Sequence, residues 1–448
     1  MQNNKETIVK YKKQQKMLTY KQDNFLLNLY LAIFCLASLC GLFSSESMYI
    51  AIATMVACSI VLGIEETAIM FVFAYPFEVL FHFSLFGTTE NIFPYVYSAM
   101  FFVVGIKYLI KVFKKKEKLD FVLLIMMAAF LVYLVLPINK IKLVDYVQYV
   151  AAMAIVYLLF KQSKHLNIKR IINYAVVGLA ISVLMSVVLQ FYNSYSSVYE
   201  NYYTDGLLKL QGLFVNPNYL MMFVCLLSAV LKTEFIKKAS ATKLVQWAFV
   251  FVVGYTTLSR NFLVCEIAVS AVLLIVYIAR KDKTRLKNLA IISAVGVGLM
   301  LILFSYTKVY YIRLKEFIRN LFRSSPSSAP EDEPADPGRI LIWRRYLKSF
   351  FASIKSVLFG YGISAPALRI KAHNTYIQGF WQIGVIGMAL LCVILAKTIF
   401  NKRKNKNVLY WVVLVAFLVL SFFESNLFNT VFLIFFAILM ASGGKCDE

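Results

Sequence analysis

Residues 338–387 read GRILIWRRYLKSFFASIKSVLFGYGISAPALRIKAHNTYIQGFWQIGVIG, a basic island in a chain that is otherwise almost continuously apolar. A basic, Trp-containing helical pattern runs into a Gly-x-Gly turn, and His373-Asn374 then opens the next apolar run. What surrounds this island decides the fold. Of 448 residues, 60% are hydrophobic and only 16% charged, with a mean hydropathy of +0.70. Soluble domains are about half apolar. Here runs near the ~20 residues needed to cross a hydrocarbon core recur along the chain. They fall at about 24–43, 47–63, 66–86, 92–112, 119–137, 145–161, 171–192, 216–232, 244–258, 262–279, 289–307, 375–397, 408–423 and 427–442. The expected fold is an all-α polytopic membrane protein with about 14 transmembrane helices.

The net charge of +24 would suggest nucleic acid in a soluble protein. Here the basic residues sit in short connectors, where the positive-inside rule accounts for them, so no nucleic-acid partner is expected. The dense clusters are 114–116, 161–170, 232–243, 280–287 and 402–406, and each follows an even-numbered run. With the N-terminus inside, all five lie in the cytoplasm. The expected organisation is then a cytoplasmic segment at 1–23, spans one to eleven within 24–307, and an extracytoplasmic loop at 308–374. Spans twelve to fourteen follow within 375–442, and a cytoplasmic tail occupies 443–448. The polar lead-in is too long for a typical cleaved signal. Seven cysteines and three histidines show no metal or disulfide spacing, so no metal and no cofactor is expected.

Residues 308–373 carry twelve Lys or Arg against five acids, and the loop is too long for topology to explain its charge. Residues 308–323 read as a basic helical extension, and SSPSSAPEDEPADP (324–337) as a linker. Beyond Arg339, Ile340, Trp343, Leu347, Phe350, Ile354 and Leu358 recur at helical spacing, with Arg344, Lys348 and Lys355 on another face. This pattern predicts one amphipathic helix at the interface, apolar side toward lipid.

Chemistry-bearing candidates concentrate nearby. Arg260 stands between two apolar runs with hardly any polar loop, where burial at bilayer depth costs about 2.5–3.5 kcal/mol. A tight surface turn relieves that cost; alternatively, Arg260 is a fixed cation facing a cavity and an anion. Glu266 reaches it only through bending or a neighbouring helix. Asn216 and Asn218 flank Pro217, which suits a helix start, or else they line a polar cleft. Arg339 and Trp343 open the interfacial helix, where the cation either snorkels or joins Arg260 on one anionic group. Gly360 and Gly362 suit left-handed backbone. His373 is placed as a general base, since its pKa class lies near operating pH. Asn374 orients it or contacts substrate, and Glu424 pairs with a cation or orients a hydroxyl. Glu78 and His82 are weaker candidates. No metal dyad, nucleotide loop, nucleophile elbow or close carboxylate pair is present in the sequence.

Six elements together resemble the O-antigen ligase and polymerase family of bacterial envelope glycosyltransferases. They are GLFVNPNYL (212–220), LSRN (258–261), GRILIW (338–343), GYG (360–362), HNTYIQGFWQIGVIG (373–387) and Glu424. The resemblance covers about 200–440, and Asn261 stands where the family often has Gly. It implies a helical GT-C-like membrane fold in the bacterial cytoplasmic membrane, acting on undecaprenyl-diphosphate-linked glycans at the outer leaflet. Arg260 and Arg339 would hold the diphosphate and His373 would activate the acceptor hydroxyl. Beside what the resemblance implies, Asn374, Trp343, Arg344, Asn216, Asn218 and Glu424 are expected to contact substrate. Polymerases extend a second lipid-linked repeat unit; ligases pass the glycan to lipid A–core. The implied partners are the glycan donor and acceptor, the lipid bilayer, a flippase and a chain-length regulator. The preferred expectation is a surface-polysaccharide polymerase, with a ligase and a lipid-linked oligosaccharide flippase as alternatives. Replacing His373 or Arg260 by Ala is expected to abolish elongation and leave membrane insertion intact.

Overall fold

A computed structural model describes the backbone of residues 2–85, 88–115, 119–135, 142–191, 203–204, 206–322, 339–364, 368, 371–400, 408–424 and 429–442. The helices α1 (Gln2–Gly41), α2 (Met48–Val61), α3 (Ile64–Ala74), α4 (Phe93–Lys115), α5 (Phe121–Val135), α6 (Leu143–Lys161) and α7 (Ile168–Phe191) precede α8 (Pro217–Lys237). Then come α9 (Ala241–Thr256), α10 (Arg260–Ala279), α11 (Lys283–Ile302) and α12 (Phe304–Phe322). The last are α13 (Arg339–Phe350), α14 (Ile354–Phe359), α15 (Thr375–Phe400), α16 (Val408–Phe423) and α17 (Thr430–Ser442). Among the described residues, strand is confined to two short antiparallel hairpins, His82–Leu85 with Thr88–Asn91 and Tyr203–Thr204 with Leu207–Leu208.

Within the described residues, each apolar run is helical over most of its length, the third ending in the strand His82–Leu85. Among the described residues, eight helices are long and apolar enough to cross a membrane: α1 from Lys21, α4, α6, α7, α8, α10, α11 and α15. Four shorter apolar segments join them, 45–61, α5, α16 and α17. The architecture is that of an all-α, multi-pass membrane protein, because only a helix satisfies its own backbone in hydrocarbon.

The bundle is assembled around α8, which is apolar on every side and almost wholly buried. Its buried Ser228 and Lys232 are matched across the bundle. Lys232 pairs with Glu266 of α10, Ser228 donates to the same carboxylate, and Trp247 Nε1 of α9 donates to Ser228 at 3.0 Å. A buried charge is tolerable only with its partner in place. This pairing also answers the question of Glu266, whose cation is Lys232.

Two elements depart from regular helix. The third apolar run stops being α-helical at Ala74 and continues as a 3-10 segment, Tyr75–Phe81, with Pro76 in its first turn and Phe77 at φ −102°, ψ 19°. Every residue of that segment is buried. Its freed groups find partners across the bundle: Val79 N donates to Leu213 O at 2.8 Å, and Ser182 Oγ donates to Pro76 O at 2.6 Å. Tyr75 packs its ring against Phe93, Phe214, Phe223 and Phe435, tying α4, the 210–216 segment, α8 and α17 together.

The second departure is in α15, which is interrupted at Gly384 (φ 62°, ψ −175°). The carbonyls released there are taken up by residues far along the chain. Tyr361 N bonds Trp381 O at 2.9 Å and Gly362 N bonds Gln382 O at 2.7 Å. Tyr133 of α5 donates its hydroxyl to Ile383 O at 2.6 Å. Gly360 and Gly362 both have positive φ, as their sequence predicts. A Cβ on Gly384 would lie 2.3 Å from Leu358 O, so the two backbones meet only because no side chain intervenes.

One expectation is corrected. The single interfacial helix predicted from Arg339 to Leu358 is two helices, α13 and α14, separated at 351–353. The break has a local cause. Ser353 Oγ accepts from Ser356 N and Ser356 Oγ accepts from Ser353 N, each at 3.1 Å, a capping box that starts a new helix. The buried face also differs. Ile342, Tyr346 and Phe350 pack with Ala372 and Trp381, whereas Leu347 and Ile354 are exposed. The aromatic Trp381 of α15 supplies a protein partner, and the one-sided pattern turns toward it. The expected basic extension at 308–323 is present as α12. The linker 324–337 and the tail 443–448 lie outside the described residues.

Candidate active site

Asn374 starts α15. Its Oδ1 accepts from Ile377 N at 3.0 Å, a side-chain cap on the first turn. Its Nδ2 donates to Phe422 O at 2.8 Å, and Thr375 Oγ1 donates to Glu424 O at 2.7 Å. The start of α15 is thereby stitched to the finish of α16. Asn374 is buried, with both ends of its amide engaged by the protein.

His373, immediately before this cap, is left-handed at φ 47°. That region is uncommon for non-glycine residues and is held here by the bonds on either side. The preceding Ala372 O accepts from Trp343 Nε1 of α13 at 2.9 Å. Trp343 also sets its ring edge-on to Phe422, with centroids 5.4 Å apart. So α13, α15 and α16 fix the backbone of His373 from three directions. The imidazole Nδ1 lies 3.1 Å from Glu424 Oε2. The His373 side chain is 40% exposed, against 7% for Glu424. A buried carboxylate thus faces a reachable imidazole. With Nδ1–H donated to Glu424, Nε2 is left with the lone pair that a general base needs.

Arg260 is the first residue of α10, after a tight turn in which Leu258 has φ 54°. The turn is braced by Ser259 N to Thr257 Oγ1 at 3.2 Å, by Leu210 N to Thr256 O at 3.0 Å, and by the Tyr310 hydroxyl of α12 to Tyr255 O at 3.0 Å. Arg260 itself is exposed. A cation at a helix N-terminus opposes the helix dipole, and an anion beside it relieves both. α8 and α10 run side by side in the same direction, with Ser228 against Glu266 and Lys232 against Ser270, so Arg260 is at the end where α8 begins, and Tyr219 in the first turn of α8 is within electrostatic range of Glu424.

Asn216 is the N-cap of α8; its Oδ1 accepts from Asn218 N at 2.7 Å, and Pro217 takes the first helical position. Both asparagines are half-buried at the same end as Glu424, since Tyr219 of α8 is within electrostatic range of that carboxylate. Arg339 begins α13, and its side chain lies outside the described residues. Arg344 is exposed on α13. Burial pushes the Tyr346 phenol above its ordinary value, against a backbone hydrogen bond at Leu368 that lowers it, and its ring packs edge-on to Trp381 with centroids 5.1 Å apart.

The predicted residues therefore sort by place. His373, Glu424, Asn374 and Trp343 form one contiguous unit; Arg260, Asn216 and Asn218 stand at the same end on neighbouring helices. Sequence reasoning did not single out Thr375, Tyr133 or Trp381. Thr375 was findable, since it follows the His-Asn pair at a helix start, but Tyr133 is one tyrosine within an apolar run and carries no local signal. No group of three or more His, Cys, Asp or Glu that could hold a metal occurs among the described residues. Comparison with known proteins finds no matching family model and no matching curated protein.

Proposed function

We propose that this protein is a membrane glycosyltransferase that polymerises undecaprenyl-diphosphate-linked oligosaccharide repeat units into a surface polysaccharide at the outer leaflet. The observation that carries the reading is the His373–Glu424 pair, an accessible imidazole oriented by a buried carboxylate at the head of α15. In the proposed step an acceptor hydroxyl attacks the anomeric carbon. His373 Nε2 takes the hydroxyl proton, the C–O bond to the diphosphate breaks, and the diphosphate leaves with the bonding electrons. A single displacement of this kind inverts the anomeric centre. Charge grows on the leaving diphosphate, and Arg260, with Arg339, is assigned to it, because guanidinium matches phosphate oxygens by paired hydrogen bonds. Three helix N-termini at this end, those of α8, α10 and α15, favour an anion as well. A base in this role contributes about 10²–10⁴-fold.

The test is purified protein in nanodiscs with lipid-linked repeat units as the only substrate. A ladder of products supports polymerisation; product only after adding a separate acceptor makes it a ligase. His373→Asn is the informative variant, since Asn tolerates left-handed backbone yet cannot act as the base. Full-length polymer from His373→Asn would overturn the assignment.

A further inference from the structure

Glu78 lies in the 3-10 segment Tyr75–Phe81, 5% exposed, beside the 210–216 segment that leads into α8, where the adjacent Val79 N donates to Leu213 O at 2.8 Å. Its Oε1 accepts from Asn91 Nδ2 of the first hairpin at 3.1 Å. Its Oε2 is buried with no hydrogen-bond partner among the described residues. One turn earlier, the buried Tyr75 hydroxyl is likewise unpartnered. Tyr219, at the start of α8, is within electrostatic range of both Glu78 and Glu424. An unmatched buried carboxyl oxygen is expensive, about 1–3 kcal/mol or more, unless something occupies its open position. Nor is the backbone here regular. Interrupted helices at membrane depth persist where they are buried in protein or line a cavity, and an ionisable residue there is a functional-site candidate.

We infer that Glu78 is a substrate-positioning residue whose free Oε2 accepts a hydrogen bond from a glycan hydroxyl, beside the segment that leads into α8. The inference rests on the proposed function and assigns its sugar-recognition side: the cations hold the lipid diphosphate and Glu78 holds the sugar. Asn91 keeps the carboxyl oriented by occupying its other oxygen, and Tyr75 offers a neighbouring hydroxyl to the same ligand. No bond is made or broken at Glu78.

The experiment measures binding to the full chain in nanodiscs. The two ligands are undecaprenyl-diphosphate-linked oligosaccharide extracted from cells deleted for this chain, and undecaprenyl diphosphate alone. Glu78→Ala is expected to weaken the glycan-bearing lipid by about 10- to 100-fold, the loss of one hydrogen bond to a charged group, and to leave the bare lipid diphosphate unchanged. Glu78→Gln, which keeps the shape and a polar group for Asn91, is expected to fold as wild type and to lose less, about 3- to 10-fold, in the same ligand-selective way. If Glu78→Ala fails to fold, Glu78→Gln alone carries the decision. Unchanged affinity for both ligands, or equal loss for both, overturns the role of Glu78 and leaves the proposed function standing. A wild-type chain that binds neither ligand overturns both.

Discussion

Removing the Glu424 carboxylate is the sharpest perturbation of this site. Its Oε2 is 3.1 Å from His373 Nδ1, and its own backbone carbonyl holds Thr375, so a side-chain change leaves the stitch between α15 and α16 in place. A hydrogen bond to a charged group is worth about 1.5–3 kcal/mol, and each 1.36 kcal/mol on a barrier is tenfold in rate. Glu424→Ala is therefore expected to lower the transfer rate by about 10- to 100-fold. The 40% exposure of His373 allows water to replace part of the contact, which places the expectation toward the lower half of that range. Glu424→Gln retains shape and an acceptor oxygen but not charge, and is expected to fall between wild type and Ala. The assay is single-turnover product formation from lipid-linked repeat units, with melting temperature and nanodisc incorporation measured on the same preparations. A Glu424→Ala protein that melts as wild type and transfers within about twofold of its rate, roughly 0.4 kcal/mol, refutes the orienting role.

Gly384→Ala is expected to destabilise strongly, because backbone at positive φ with extended ψ is essentially glycine-only and costs about 1–3 kcal/mol for a residue with a Cβ, and that Cβ would sit 2.3 Å from Leu358 O. Gly298→Ala, where nothing lies within 4 Å, serves as the control and is expected to be neutral or stabilising in the same thermal unfolding measurement. Tyr133→Phe is expected to lower stability by about 1–2 kcal/mol through the lost bond to Ile383 O, read as a reduced melting temperature at unchanged expression. Glu266→Ala leaves Lys232 buried without its carboxylate and is expected to cost about 3–5 kcal/mol, whereas Lys232→Met with Glu266→Leu recovers most of that loss in the same assay.

Much of the architecture was legible because hydropathy reports it directly. The apolar runs mark the helices, and the Pro217 start, the Gly360 and Gly362 turn and the basic extension at α12 all follow from local chemistry. The site was legible where side chains act near their own position: His373 and Asn374 open a helix, and Arg260 sits in a gap between two runs. What stayed hidden depends on residues far apart in sequence. Nothing near Trp381 announces that Tyr361 and Gly362 will satisfy its carbonyl and the next one. On α13 the expected Phe350 is buried, but Trp381, a partner distant in the chain, selects Ile342 and Tyr346 beside it in place of Leu347. The division of the predicted interfacial helix hinged on a two-serine capping box, in which Ser356 takes the position usually held by Glu or Gln.

The interruption of α15 carries an implication for biogenesis. Carbonyls 381 to 383 are closed by Tyr361, Gly362 and Tyr133, contributed by residues before α15 that belong to different parts of the chain. Until α5, the 360–362 turn and α15 have met, the Gly384 break leaves those carbonyls open, and a continuous helix is the form that satisfies them in lipid. The bend is thus a product of helix assembly after insertion. Chaperones or lipids that delay the meeting of α5 with α15 would then trap a chain that is fully integrated in the bilayer but lacks its finished α15.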